Sequence, residues 1–89
     1  EERNKLQTEW RRRKKEIEQA EKKLEKLTTK IAEIEEVLGD PTSYETLSPE
    51  EILTFDQDKN ALEAESAALE EAWLNAAEKR EAITEKLES

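Results

Sequence analysis

Hydrophobic residues in the first half of the chain repeat with the spacing of a coiled coil. They follow alternating steps of four and three residues from Leu6 to Leu38, and only Arg13 interrupts the series with a polar side chain. Such a pattern predicts one long helix with a single apolar seam. The seam positions are Leu6, Trp10, Arg13, Ile17, Ala20, Leu24, Leu27, Ile31, Ile34 and Leu38.

The second half repeats the same steps, although with more polar positions. Its seam consists of Phe55, Lys59, Leu62, Ser66, Leu69, Trp73, Ala76, Arg80, Ile83 and Leu87. Each predicted helix therefore has one apolar face, and a short connection requires the two helices to pack antiparallel. The predicted fold is all-α, an antiparallel two-helix coiled-coil hairpin that forms a single domain over residues 1–89.

Turn and capping residues set the helix boundaries. We expect Gly39 to adopt the left-handed cap conformation and Pro41 to stop the first helix. Ser48, Pro49 and Glu51 offer an N-cap hydroxyl, a proline at the first helical position and the acid of a capping box. The bounds are then about 3–38 for the first helix, 39–47 for the connection and about 49–87 for the second helix.

The connection is predicted to be too short for another element, with Tyr44 and Leu47 folding back over Leu38 and Ile52. Closing the hairpin there makes the numbers of facing residues sum to about 90. This register places Ile34 near Phe55, Leu27 near Leu62, Ala20 near Leu69, Ile17 near Trp73, and the Arg80 guanidinium over the Trp10 indole.

Composition narrows the possible functions. The chain is 34% hydrophobic and 44% charged, and it contains no Cys, His or Met. Disulfides, thiolate or imidazole metal sites and His-dependent catalysis are therefore excluded. No Gly-rich phosphate loop is present, and the acids around Asp56 and Asp58 lack the glycine of a calcium loop. We expect a non-enzymatic module without cofactor or metal.

Charge is divided unevenly along the chain. Up to Lys30 there are eleven bases and seven acids, which leaves +4, whereas the remainder has four bases and seventeen acids, which leaves −13. Arg12, Lys15, Lys22 and Lys26 fall on the outward face of the first helix as a basic stripe, with Arg11–Lys15 as its dense end. Such a stripe suits a phosphate backbone. Alternatively, these bases solvate the surface and pair with acids of the second helix.

Two motifs carry a family resemblance. Leu38-Gly39-Asp40-Pro41-Thr42-Ser43-Tyr44-Glu45 forms the turn, and Glu70-Glu71-Ala72-Trp73-Leu74 lies in the second helix. Together they resemble the C-terminal coiled-coil domain of ABC-F ATPases, particularly the Uup type. The resemblance implies a parent with two ATP-binding cassettes upstream, acting on the ribosome or on nucleic acid, with this hairpin as a DNA-binding or ribosomal-RNA-binding appendage.

That implied role maps onto the bases of the first helix, namely Arg11, Arg12, Lys15, Lys22 and Lys26. A chain that starts at Glu1 without a Met also suggests a fragment of a longer protein.

A structural or protein-interaction hairpin, with a partner docked on the acidic arm, is the alternative function. We expect no membrane contact, because no apolar stretch is long enough, and a cytoplasmic location. A monomeric hairpin is expected, with self-association of the thin core as a further possibility.

Overall fold

The computed structural model describes residues 1–88, and every regular element in this range is a helix. Helix α1 spans Glu2–Gly39, helix α2 spans Ser43–Thr46 and helix α3 spans Pro49–Glu88. Residues early in α1 bond to residues late in α3, so the two long helices are antiparallel. The predicted all-α helical hairpin is confirmed, and both long helices begin and end within one residue of their predicted bounds.

The chain divides into two compact units. The first unit joins Glu1–Lys23 to Leu69–Ser89, and the second unit is Leu24–Ala68. Both units contain a segment of α1 and a segment of α3, and the second also contains α2. The single domain over residues 1–89 stays a prediction.

In the first unit, the core follows the predicted seam. Its buried side chains are Ile17, Ala20, Ala76 and Ile83. The other seam positions of this unit are half-buried, and they are Leu6, Trp10, Arg13, Leu69, Trp73, Arg80 and Leu87. Burial therefore recurs every three or four residues on both helices, which is the periodicity that packs one helix face against another.

In the second unit, the seam is more open. Leu27 is buried, with 6% of its surface exposed. The remaining seam positions are half-buried, and they are Leu24, Ile31, Ile34, Leu38, Phe55, Lys59, Leu62 and Ser66. Lys59 keeps its seam position because its aliphatic stem packs inward while its Nζ lies 3.6 Å from Glu35 Oε1 of α1.

Polar contacts between the helices show the register. In the first unit Trp10 bonds to Thr84 and Trp73 bonds to Glu21, and in the second unit Lys59 pairs with Glu35. The numbers sum to 94 in each pair, one helical turn beyond the predicted sum of about 90. Helical side chains tilt toward the N-terminus of their own helix, so long side chains of antiparallel helices meet about a turn beyond the residues directly opposite.

The predicted end of the first helix is wrong in its mechanism. Gly39 is the last residue of α1, and no glycine has a positive φ. Instead, the Asp40 N–H donates to the Val37 carbonyl at 3.3 Å, which closes a tighter final turn. The connection also holds the one-turn helix α2, contrary to prediction, because a helical turn requires only four residues.

Side chains of the connection hold the turn together and supply one hydrogen bond to the end of α1. Asp40 Oδ1 accepts hydrogen bonds from the Thr42 N–H at 3.0 Å and from the Thr42 hydroxyl at 2.8 Å. The Tyr44 hydroxyl donates to the Leu38 carbonyl at 2.8 Å, so it satisfies one of the free carbonyls at the end of α1. Tyr44 thus folds back toward Leu38 as predicted, although its side chain stays 56% exposed.

The start of α3 follows the predicted capping box. The Glu51 N–H donates to Ser48 Oγ at 3.2 Å, and the Ser48 hydroxyl donates to Glu51 Oε1 at 3.2 Å. Pro49 is the first helical residue, where its missing N–H removes no helical hydrogen bond. The Ser48 hydroxyl therefore fixes where the chain re-enters a helix.

Gly39→Ala tests the corrected helix end. The backbone of Gly39 is helical, and a Cβ at this position would meet no heavy atom within 4 Å. We expect the alanine variant to gain about 0.4–1 kcal/mol in the free energy of unfolding, because alanine restricts the unfolded chain. Urea denaturation followed by circular dichroism measures the change. A loss of stability would instead indicate a left-handed Gly39.

Thr42→Val tests the turn through the titration of Asp40. The Thr42 hydroxyl, and secondly its N–H, lower the pKa of the Asp40 carboxyl below its ordinary value. A folded pKa below the unfolded one gives stabilisation that is complete above the unfolded pKa and is lost as pH falls through the folded pKa. In the valine variant, NMR should show the Asp40 pKa raised, so the loss of stability at low pH should be smaller and should be complete at a higher pH. Thr54→Val, whose hydroxyl bonds within α3, should leave that pKa unchanged.

Candidate functional site

The predicted contact residues lie on the solvent side of α1. Arg11, Arg12, Lys15 and Lys22 belong to the first unit, and Lys26 belongs to the second. All five side chains are exposed, whereas the seam positions between them in sequence are buried or half-buried. The seam thus turns these bases outward, since a helix that buries one face must expose the opposite one.

These bases are largely free of acidic partners. Arg12 lies 3.8 Å from Glu16, and the Arg12 side chain remains 74% exposed. Within residues 1–88, the other four predicted contact residues form no ion pair (Arg11, Lys15, Lys22 and Lys26). Pairing across the seam, the alternative explanation for the stripe, is therefore not observed in the described part of the chain. Their charge stays available to an external anion.

The two chain segments that form the first unit have opposite net charges. Its α1 segment contains nine bases and six acids, and its α3 segment contains three bases and six acids. The segments therefore contribute +3 and −3, and the unit is neutral as a whole. Screening confines such fields to about 10 Å at 0.1 M salt, so an anion at the α1 surface meets mainly the bases.

Lys5 is a further base beside this surface that was not included in the prediction. With Arg12, Thr8 and Asn4 it lines a surface depression of about 410 Å³ in the first unit. Lys5 and Arg12 are seven residues apart, so both point to the same side of α1 after two turns. That spacing could have identified Lys5 from the sequence.

Both tryptophans are engaged inside the first unit. Trp10 Nε1 donates to Thr84 Oγ1 at 2.9 Å, and the Lys14 ammonium lies 5.5 Å from the centre of its ring. Lys14, not the predicted Arg80, is the cation over this indole. The Trp10 side chain tilts toward the N-terminus of α1, so it reaches Thr84, one turn beyond Arg80 on α3, and Lys14 lies one turn after Trp10 on α1. Trp73 Nε1 donates to Glu21 Oε1 at 3.1 Å. Packing and hydrogen bonding between the helices thus account for the positions of both indole rings.

The carboxylates of the described residues were compared with the arrangement that a metal ion needs. No group of three or more acids within residues 1–88 is arranged to hold a metal ion. Asp56 and Asp58, the remnants of a calcium-loop pattern, lie within the continuous helix α3. Neighbouring residues on a helix diverge, so such carboxylates do not converge on one ion.

None of the helices in residues 1–88 has an apolar stretch long enough to cross a bilayer.

Comparison with known proteins identifies a family for this chain. A family model described as the ABC transporter C-terminal domain matches residues 5–78, which is 74 of the 89 residues. The matched range includes the whole connection, with the turn motif that first indicated an ABC protein, and most of both long helices. No match to a curated protein or to a solved structure was found.

Proposed function

The chain belongs to the family of ABC transporter C-terminal domains, an accessory domain of ABC proteins, and on that premise we propose that it contacts nucleic acid for an ABC-F ATPase. The parent would be of the Uup type and act on DNA or on the ribosome. Its ATP-binding cassettes would lie outside these 89 residues. Support for the ABC-F assignment comes from the Leu38–Glu45 turn motif and from the tryptophan preceded by Glu70 and Glu71.

The observation that carries the nucleic-acid proposal is the set of exposed, unpaired bases on α1. Arg11, Lys15 and Lys22 are exposed, and none of them forms an ion pair with an acid in the described part of the chain. A base that approaches a phosphate releases condensed counterions and needs no sequence-specific contact. The surface is therefore suited to a DNA or RNA backbone of any sequence.

Lack of exposed aromatic side chains on α1 points to duplex over single-stranded nucleic acid. The exposed large hydrophobic residues are Tyr44, Leu53 and Leu74, and none of them belongs to α1. Proteins that hold single strands stack bases on aromatic rings, whereas duplexes are held through their phosphates. We expect duplex DNA and duplex RNA to bind more tightly than the same single strands.

Charge reversal with a matched control tests this proposal. The variant Arg12→Glu/Lys15→Glu/Lys22→Glu alters the outward face of α1, and Arg3→Glu/Lys79→Glu/Lys86→Glu makes the same change in net charge elsewhere in the first unit. All six side chains are exposed, so both variants should fold. Fluorescence anisotropy with labelled duplexes at 50 mM salt should show at least about tenfold weaker binding for the first variant alone.

Salt dependence gives a second readout. Each lost phosphate contact should reduce the slope of log K against log[salt] by about one, so the α1 variant should lose about three. Lys26→Glu, in the second unit, is tested separately and should lose about one. Equal weakening by both triple variants would refute the α1 surface, and absence of duplex binding by the natural chain at low salt would refute nucleic-acid contact altogether.

A further inference from the structure

A groove with an apolar floor and acidic edges runs along the second unit. Ile34 of α1 and Leu62 of α3 are half-buried and form its floor, with a volume of about 370 Å³. Glu33 and Asp58 stand exposed at its edges, together with the base Lys30. The side chain facing outward on α3 here is Ala61, which is too small to cover the floor.

The groove continues along α3 in the direction of Pro49. A second depression of about 220 Å³ is lined by Glu51, Thr54, Phe55 and Asp58, so Asp58 borders both. Glu51 and Asp58 are seven residues apart, which places their carboxylates on one side of α3 about 10 Å apart along its axis. The apolar floor is therefore bordered by carboxylates one after another over about two turns of α3.

Charge in this unit restricts what the groove can accept. Leu24–Ala68 contains twelve acids and three bases, so this unit carries the entire net charge of −9. A field of that sign repels nucleic acid and attracts cations. A cationic occupant that also has an apolar side chain would gain both from the field and from burial of the floor.

A second copy of the chain does not meet this requirement. The unpaired bases of α1 could approach the acids, but α1 exposes no large hydrophobic side chain that could fill the floor. The exposed large hydrophobic residues lie elsewhere, at Tyr44, Leu53 and Leu74. The complementary chemistry is a helix with Arg or Lys on both sides of a stripe of large apolar residues, which must come from another polypeptide segment.

We infer that the second unit docks a basic amphipathic helix of a partner protein in the groove between Glu33 and Asp58, with its apolar side chains on Ile34, Leu62 and Phe55. This groove does not include any of the bases proposed to contact nucleic acid, which lie on the first unit except for Lys26. Heptad-spaced bases of the partner would face Glu51 and Asp58, and its leucine-like side chains would cover Ala61. The packing is that of a third helix added to a helix pair.

Two peptides and two pairs of variants test the inference. The probe is a labelled 21-residue helical peptide of Leu, Ala and Arg, with Leu one turn apart and Arg on both sides, and its control has Glu in place of every Arg. The Arg peptide should bind and the Glu peptide should not. Glu33→Lys/Asp58→Lys should weaken binding at least about tenfold, whereas Glu25→Lys/Asp56→Lys, which changes the charge of the same unit equally, should alter it less than about twofold.

Filling the groove separates shape from charge. Ala61→Trp should abolish binding of the Arg peptide by occupying the floor, and Ala64→Trp, at an exposed position outside the groove, should not. Circular dichroism confirms that each variant remains helical. No binding of the Arg peptide at millimolar concentration, equal weakening by the two charge variants, or full binding to the Ala61→Trp variant would each overturn the inference.

Discussion

Leu27→Ala should lower the free energy of unfolding by about 2–3 kcal/mol. Leu27 is 6% exposed, and it is the one seam side chain among the described residues of the second unit that is buried and not half-buried. Its truncation removes several buried methyl and methylene groups and leaves a cavity between α1 and α3. The expected value lies at the low end of the range for leucine truncations, because a two-helix core is thin and water can partly fill the gap. Urea denaturation followed by circular dichroism measures it.

Leu53→Ala is the matched control for this substitution. Leu53 belongs to the same unit and undergoes the same chemical change, but 56% of its surface is exposed. We expect its truncation to alter stability by less than about 0.5 kcal/mol. Similar losses for the two variants would mean that the seam does not form the core, and the outward assignment of the basic stripe would fail with it.

The seam could be predicted from the sequence because burial in a helix pair depends on a simple period. Every predicted seam position is buried or half-buried, even where the residue is Arg13, Lys59 or Ser66. The seam could be recognised despite these polar residues, because the apolar residues three and four positions before and after them define which face of the helix is buried. The start of α3 was equally clear, because Ser48, Pro49 and Glu51 act through local contacts.

The turn and the exact contacts between the helices could not be predicted in the same way. Gly39 permits a left-handed cap but does not require one. The Asp40 N–H and the Tyr44 hydroxyl donate to carbonyls at the end of α1, which makes that cap unnecessary. The partners of Trp10 and Trp73 depend on the direction in which each side chain tilts, which residue spacing alone does not give.

The outward placement of the candidate site residues could be predicted from the sequence, but their ion pairs and the charge around them could not. Outward placement of Arg11, Arg12, Lys15, Lys22 and Lys26 follows from the heptad frame. Their lack of acidic partners within residues 1–88 does not, because ion pairs between long side chains depend on rotamers. Division into a neutral first unit and a second unit of charge −9 also needed the structure, since it combines segments far apart in sequence.

Arg13→Leu should raise the free energy of unfolding by about 1–3 kcal/mol. Arg13 occupies a seam position of the first unit, where its side chain is only 19% exposed and its Nε is buried without a hydrogen-bond partner. Its guanidinium nitrogens lie 3.6 Å from Glu9 and 3.1 Å from Glu16, both of which are half or nearly half exposed. Such pairs return little of the free energy lost by desolvating the arginine, and leucine restores the heptad.

Arg12→Leu is the control that separates inward from outward bases. Arg12 is 74% exposed, so leucine there should change stability by less than about 0.5 kcal/mol, but it should weaken duplex binding. Arg13→Leu should do the reverse, with higher stability and duplex affinity unchanged within about twofold. A destabilised Arg13→Leu variant would show that the ion pairs with Glu9 and Glu16 outweigh the desolvation of Arg13. If instead its duplex affinity fell, the bases that contact nucleic acid would not be those that the seam turns outward.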